Sequence, residues 1–341
     1  MSAIRISLSA LLLCNVALAQ SAENDPAAAC NELAKLQMPF ADLPTPDDHN
    51  RLRGCSADAL YHGIGRKPNF VEARLCAVTE IDVGEPPLFG SAAVLMMVYA
   101  NGEGVERNIP LAKRYACMVA GAPAELEARL AHLDQIEASP ETAGRIALCD
   151  DITSGYMMGM CAAHDQGNVE MSREARFATL SADWPKAHQT TLTSLRERAA
   201  AFFKSRVETE VDLSGTARSS IAIGEGNALD DGLLQALGEF QAGKLPQASA
   251  HEFAVADAAL NQEYAAARKA AQAQPGEILS GPLGTIRPDG IRTTQRHWIK
   301  YRDAWVAFGR QRYPKVSADA WRTYFTRERV KQLKEIYQGP E

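Results

Sequence analysis

Near the C-terminus the apolar positions alternate at spacings of four and three: Thr294, Trp298, Tyr301, Trp305 and Phe308. On a helix that spacing gathers them into one stripe. Gln295, Arg296, Lys300, Arg302 and Arg310 lie around it, so the pattern predicts a core helix with a basic rim. Trp298 and Arg302 are four apart, which lets the guanidinium lie over the indole face. A second helix is predicted over 251–274, with Phe253, Asp257, Leu260 and Tyr264 on one side, stopped by Pro275-Gly276. Tyr313-Pro314 ends the stripe helix, Ser317 supplies an N-cap, and a last helix runs over 321–337. Further back, 190–211 and 230–240 read as helices joined by a glycine loop at 213–217. Leu195, Phe202 and Arg206 stand in the same relation as Ile291, Trp298 and Arg302 do 96 residues later, and Lys204 matches Lys300. Residues 149–242 therefore read as a degenerate copy of the tail.

The N-terminal half carries a different repeat. Leu60-Tyr61-His62-Gly63-Ile64-Gly65 aligns with Tyr99-Ala100-Asn101-Gly102-Glu103-Gly104, 39 residues on. Each is followed by a polar connector and a helix containing an alanine, Ala73 or Ala112. That period suits a helical hairpin. The first glycine of each pair can end a helix at positive φ, and the second lets the chain turn back closely. Asn108 with Pro110 marks the start of the second returning helix. Before the repeat, Leu43 to Asp48 contains two prolines and breaks any helix.

Leucine, alanine and charged residues dominate and β-branched runs are scarce, so the chain is expected to be all-α. Its 341 residues allow two or three domains. Met1 to Ala19 has a charged start, a short apolar run and an Ala-Leu-Ala site, the anatomy of a secretory signal cleaved after Ala19. Leu13 before Cys14 is not small, which disfavours lipidation there. No later stretch is apolar enough to span a bilayer. Removing Cys14 leaves Cys30, Cys55, Cys76, Cys117, Cys149 and Cys161, an even number in an exported chain, hence three disulfides. Six cysteines allow fifteen connectivities. From Arg287 onward thirteen basic residues face six acidic ones, a surplus of +7, which leaves −13 for the rest of a chain carrying −6. This asymmetry implies an anionic partner for the tail, or contact between the two halves.

Two family resemblances follow from these residues. Tyr99-x-x-Gly102-x-Gly104-Val105, then Asn108, then Leu111-Ala112-x-x-Tyr115 resembles a Sel-one-like repeat, a relative of the tetratricopeptide repeat. The first unit matches in part, since Arg66 stands where the second has Val105. The resemblance implies a short α-solenoid over 55–135, used for protein contact, with a disulfide across a hairpin; that would pair Cys55 with Cys76. In the tail, Asp257-x-x-Leu260-Asn261-x-x-Tyr264, then Gln295-Arg296-x-Trp298-x-x-x-Arg302-Asp303, then Thr326-x-x-Arg329 is similar to the LprI-type lysozyme-inhibitor domain of exported bacterial proteins. It spans about 250–338. Val306 and Trp321 stand where that family usually carries cysteines, and Trp321 is expected to fill the space. These motif residues read as a structural support set: Asp303 is expected to pair with Arg329, and Asn261 to bridge helices.

The organisation that emerges is a signal at 1–19, a lead and loop at 20–54, repeats at 55–135, a degenerate inhibitor-like domain at 149–242 and a fuller one at 250–338. Catalytic signatures such as G-x-S-x-G, H-E-x-x-H and C-x-x-C are missing. Asp47, Asp48 and His49 are ligand types side by side, but neighbours on a loop more often cap a helix. Met157, Met158 and Met160 suit copper(I) in chemistry and core filling in frequency. Cys149, Cys161 and His164 could hold zinc, although export favours a disulfide. No metal or cofactor is called for. The expected function is a non-catalytic, periplasmic or secreted protein that binds another protein, a lysozyme or an envelope protein, with no nucleic-acid role. Two alternatives stand beside it: binding of anionic lipid or cell-wall polymer through Arg296, Lys300, Arg302 and Arg310, and hydrolysis of wall polymer.

Overall fold

The computed structural model describes residues 26–83, 88–142, 144–272 and 283–339. The signal segment and the Pro275-Gly276 stop lie outside the described residues. Among those described there are thirteen α-helices and no strand, so the all-α expectation holds. The chain divides into two compact units, up to residue 157 and from 158 onward.

In the first unit, α1 (Pro26–Leu33) and α2 (Pro46–Arg51) precede two hairpins. The first is α3 (Ala57–His62) with α4 (Phe70–Val83), the second α5 (Ser91–Asn101) with α6 (Ile109–Ala116), and α7 (Pro123–Ala138) follows. The 39-residue period is written into the hydrogen bonds. The amide of Asn69 donates to the Leu60 carbonyl as that of Asn108 does to Tyr99, at 2.8 and 2.9 Å. The Asn69 side chain accepts from the Glu72 amide as Asn108 does from Leu111. Gly63 and Gly102 end their helices in the left-handed conformation, and Gly65 and Gly104 follow at positive φ. Gly104 also lies against the start of α4: a Cβ there would sit 2.7 Å from the Val71 amide nitrogen. Ala73 and Ala112 are fully buried, and every residue of α5 from Ser91 to Ala100 is covered. Tyr99 stacks on Tyr115 and donates to Asp42.

Glu80 ties the hairpins together. Its carboxylate accepts from the amides of Ala57 and Ser91, the first residues of α3 and α5, at 2.9 and 3.0 Å. Gly90, the N-cap of α5, has no side chain, so Glu80 does its capping from another helix. Cys55 bonds Cys76 across the first hairpin, as the resemblance implied, and Cys30 bonds Cys117, joining α1 to the end of α6. Cys149 and Cys161 are also disulfide-bonded, which removes both as thiolate ligands for zinc. Asp48 completes a capping box with Thr45 at the start of α2. The Thr45 bonds, with Arg51 adding to them, hold its carboxyl at about 2. His49 contacts Thr79 instead of sharing a ligand set with the aspartates.

The second unit is built from six helices: α8 (Gly155–Ser181), whose first turn contains the unit boundary, α9 (Lys186–Glu210), α10 (Arg218–Gln241), α11 (Ala250–Ala270), α12 (Pro288–Arg312) and α13 (Ala318–Gln338). They form two triples, each running up, down, up. In the first, Arg173 reaches Asn227 and Asp231, and Gln166 reaches Asn227, so α8 and α10 run parallel. In the second, Glu252 faces Arg327 and Glu263 faces Tyr337, so α11 and α13 run parallel. The middle helices, α9 and α12, lie antiparallel across the join: Ser205 meets Thr294 at 2.6 Å, Phe202 stacks on Tyr301, and Trp184 meets Phe308. One hydrophobic core runs from Phe177 to Ile336 through both triples. The stretches 149–242 and 250–338, which read as separate domains, thus share a core. Helix α10 is longer than its apolar pattern predicted, because Gly224, Gly226, Gly232 and Gly238 dilute the pattern without breaking the helix.

Candidate functional site

The stripe helix α12 places its residues as its pattern predicted. Ile291, Thr294, Trp298, Tyr301, Trp305 and Phe308 are buried, while Arg296, Lys300 and Arg310 are exposed. Arg302 is half-buried with its guanidinium 5.0 Å from the Trp298 ring centre. Leu260 is in the core; Asp257 and Tyr264 are half-buried beside it, with Arg268 over the Tyr264 ring. Val306 and Trp321 are both buried. Trp321 lies flat on Gly309, where a Cβ would come within 2.3 Å of its ring, and stacks with Trp305.

Two expected bonds are not made. Asp303 is exposed and pairs with its neighbour Arg302 at 3.0 Å, not with Arg329. The partner of Arg329 is Glu210 on α9, with both side chains fully buried and two bonds between them. Gln295 accepts from the Arg329 Nε at 3.1 Å, and the guanidinium also lies over Phe202. Asn261 donates to the Asp257 carbonyl of its own helix, so it does not bridge to another. Both corrections share a cause. Asp303 and Asn261 sit on exposed faces, where water competes for them, while Arg329 points inward and requires a buried anion. Thr326 is fully buried, and its hydroxyl has no partner among the described residues.

Arg329 also lines a cleft of about 240 Å³ between α9, α10, α12 and α13. Phe202, Trp298, Tyr301, Tyr324 and Phe325 wall it, and Ala228, Gly232 and Ala236 leave it open on the α10 side. A second cleft, of about 460 Å³, opens between α8, α9 and α10. Glu170, Glu174, Glu197 and Asp230 line it with Arg173 and Arg196, and Phe177 forms its apolar wall. Arg173 is buried and committed to Asp231 and Asn227, and Arg196 to Glu174 and the face of Phe177. Of the other carboxylates, Glu170 accepts from Gln166 at 2.7 Å, Asp230 lies 3.7 Å from the Arg173 guanidinium, and Glu197 makes no ion pair among the described residues. Burial pushes the Asp230 carboxyl up, with the Arg173 charge opposing. This cleft was not foreseen. Its carboxylates lie on three helices up to 60 residues apart and share no motif.

In the first unit, the repeat surface holds the chain that follows α7. Asn101 pairs with both backbone groups of Ile146, donating to its carbonyl and accepting from its amide, each at 2.9 Å. Arg145 bonds Glu103 and Tyr61. At the other end, Glu125 of α7 accepts from the amides of Ala122, Thr153 and Ser154. Burial works against its charge, but the Ser154 side chain and these amides outweigh burial and hold the carboxyl at about 2. Met157 is buried, and Met158 is 40 % exposed.

Residues 241–333 match the family described as lysozyme inhibitor LprI. The matched stretch holds α11, α12 and most of α13, which is the second triple. No curated protein and no solved structure matches the chain. The segment is therefore lysozyme-inhibitor-like. The partner of its buried Arg329, however, comes from outside the match.

Proposed function

We propose that this is an exported, non-catalytic protein whose second unit binds and inhibits a lysozyme-class protein, while the first unit is a Sel-one-like hairpin scaffold for a further protein contact. The observation that carries the reading is the match of 241–333 to a family described as a lysozyme inhibitor. The oxidised cysteines support an extracytoplasmic setting, periplasmic or secreted after cleavage near Ala19. The repeat reading rests on the shared 39-residue hydrogen-bond period and the Cys55–Cys76 bond.

Charge chooses the docking face. Lysozymes are commonly basic, and the rim of α12 carries unpaired cations that would slow their approach. The carboxylate cleft between α8, α9 and α10 has the complementary sign. A lysine or arginine of the partner can meet Glu170, Glu197 and Asp230 there. The experiment is a lysozyme activity assay with the protein lacking residues 1–19. Inhibition is expected, and the triple change Glu170→Gln, Glu197→Gln and Asp230→Asn should weaken it at least tenfold. Full lysozyme activity at micromolar excess of the unaltered protein would refute the reading. Inhibition that survives the triple change would move the docking face elsewhere.

A further inference from the structure

The outward face of α12 is a separate feature, opposite the Trp298 stripe. A helix turns 100° per residue, so Arg292, Arg296, Lys300 and Arg310 fall within about 80° of one another. They extend along roughly 27 Å of helix at about 1.5 Å per residue. Arg292 pairs with Asp289, and Asp303 on the same face is taken by Arg302. Arg296, Lys300 and Arg310 are exposed, and no carboxylate of the described residues lies within ion-pair distance of them. Among these cations sits Ile299, 40 % exposed, an apolar side chain on a face where the pattern places polar ones.

We propose that this face is a peripheral docking surface for an anionic lipid bilayer, with the three unpaired cations at the headgroups and Ile299 entering the interface. The sign and the straight, one-helix layout suit a flat anionic surface. Ile299 favours a bilayer over a soluble polyanion, because only the bilayer offers an apolar layer directly beneath the charges. No helix among the described residues is long and apolar enough to cross a membrane, so attachment here is to the surface. The chain as a whole carries −6, so an anionic bilayer repels it on average, and binding requires a local patch. This inference does not depend on lysozyme inhibition and uses a different face.

The test is co-sedimentation of the protein, lacking residues 1–19, with vesicles of phosphatidylglycerol and phosphatidylcholine in equal parts, and with phosphatidylcholine alone. Binding is expected only to the anionic vesicles, and it should vanish toward 1 M salt, where the screening length is about 3 Å. One basic side chain near such a surface contributes about a fivefold gain in partitioning, so Arg296→Gln/Lys300→Gln/Arg310→Gln should lower it about 100-fold. Ile299→Asn should lower it while leaving every charge in place. A control with the same net charge, Arg198→Gln/Lys204→Gln/Arg218→Gln, removes exposed cations from the other triple and should bind as the unaltered protein does. All of these positions are exposed, and tryptophan fluorescence melts verify that each variant folds. Equal loss in the control triple, unchanged binding in the α12 triple or in Ile299→Asn, equal binding to neutral vesicles, or binding to soluble polyphosphate without binding to vesicles would each overturn the proposal.

Discussion

Changing Glu210 to Gln removes one charge from the ion pair that joins the two triples and keeps the shape. Arg329 stays fully buried, with Gln295 and Gln332 as its remaining side-chain hydrogen-bond partners at 3.1 and 3.4 Å. Losing one member of a buried pair costs about 3–5 kcal/mol, because the surviving charge is left uncompensated. An effective dielectric near 20 gives about 4 kcal/mol at contact distance, the same range. For a unit of this size each kcal/mol moves the melting temperature by about 2–4 °C. The low end, about 3 kcal/mol, predicts a drop of about 6–12 °C. All four tryptophans, Trp184, Trp298, Trp305 and Trp321, lie in the second unit, so thermal melts followed by their fluorescence report that unit alone. Replacing both partners, Glu210→Leu with Arg329→Met, removes the buried charge altogether and should recover most of the loss. A Glu210→Gln melt within about 1 °C of the unaltered protein, or a double change that falls as far as the single one, would refute an uncompensated buried charge as the cause.

Other expected outcomes follow from the same contacts. The Glu125 carboxyl, held at about 2 against an ordinary 4.5, stabilises the folded first unit above about pH 4.5. That contribution, of order 3 kcal/mol at 1.36 kcal/mol per pH unit, disappears as pH falls from about 5 to 2. Far-UV circular dichroism of urea unfolding at pH 7 and pH 3 should show Glu125→Gln destabilised at pH 7 and by less than half as much at pH 3, one pH unit above the folded-state value. Gly309→Ala pushes a methyl into Trp321 and should destabilise the second unit by about 1–3 kcal/mol, read by the same fluorescence melt. Cys30→Ala/Cys117→Ala opens a closure with a sequence separation of 87 and should cost the first unit about 4.6 kcal/mol, measured by denaturant unfolding against the unaltered protein. A fragment starting at residue 241 loses Glu210 and the cover of α9 over Tyr301, and should aggregate or self-associate, as size-exclusion chromatography would show.

Local periodicity carried most of the fold. The stripe from Thr294 to Phe308 and the paired glycines at 63/65 and 102/104 each obey short-range rules, and the structure places them as the spacing predicts. The cation over Trp298 is an i to i+4 contact and was legible for the same reason. Long-range partners were not legible. Arg329 finds Glu210 across 119 residues, while the nearer Asp303 stays in water. Glu80 caps two helices from a third, a role that nothing in its own neighbourhood announces. The shared core of the two triples was hidden too. A stripe of aromatics states that a face is buried, and it does not state which helix covers it. The acidic cleft follows from the same fact, since it exists only once α8, α9 and α10 are brought together.

Binding of a basic lysozyme by the second unit is tested most directly by isothermal titration of lysozyme into the protein lacking residues 1–19. Saturable binding at one lysozyme per chain is expected, weakened by added salt and by neutralising Glu170, Glu197 and Asp230. Titration to high micromolar lysozyme at low salt with no heat beyond dilution, from a protein whose fluorescence melt shows it folded, would contradict it.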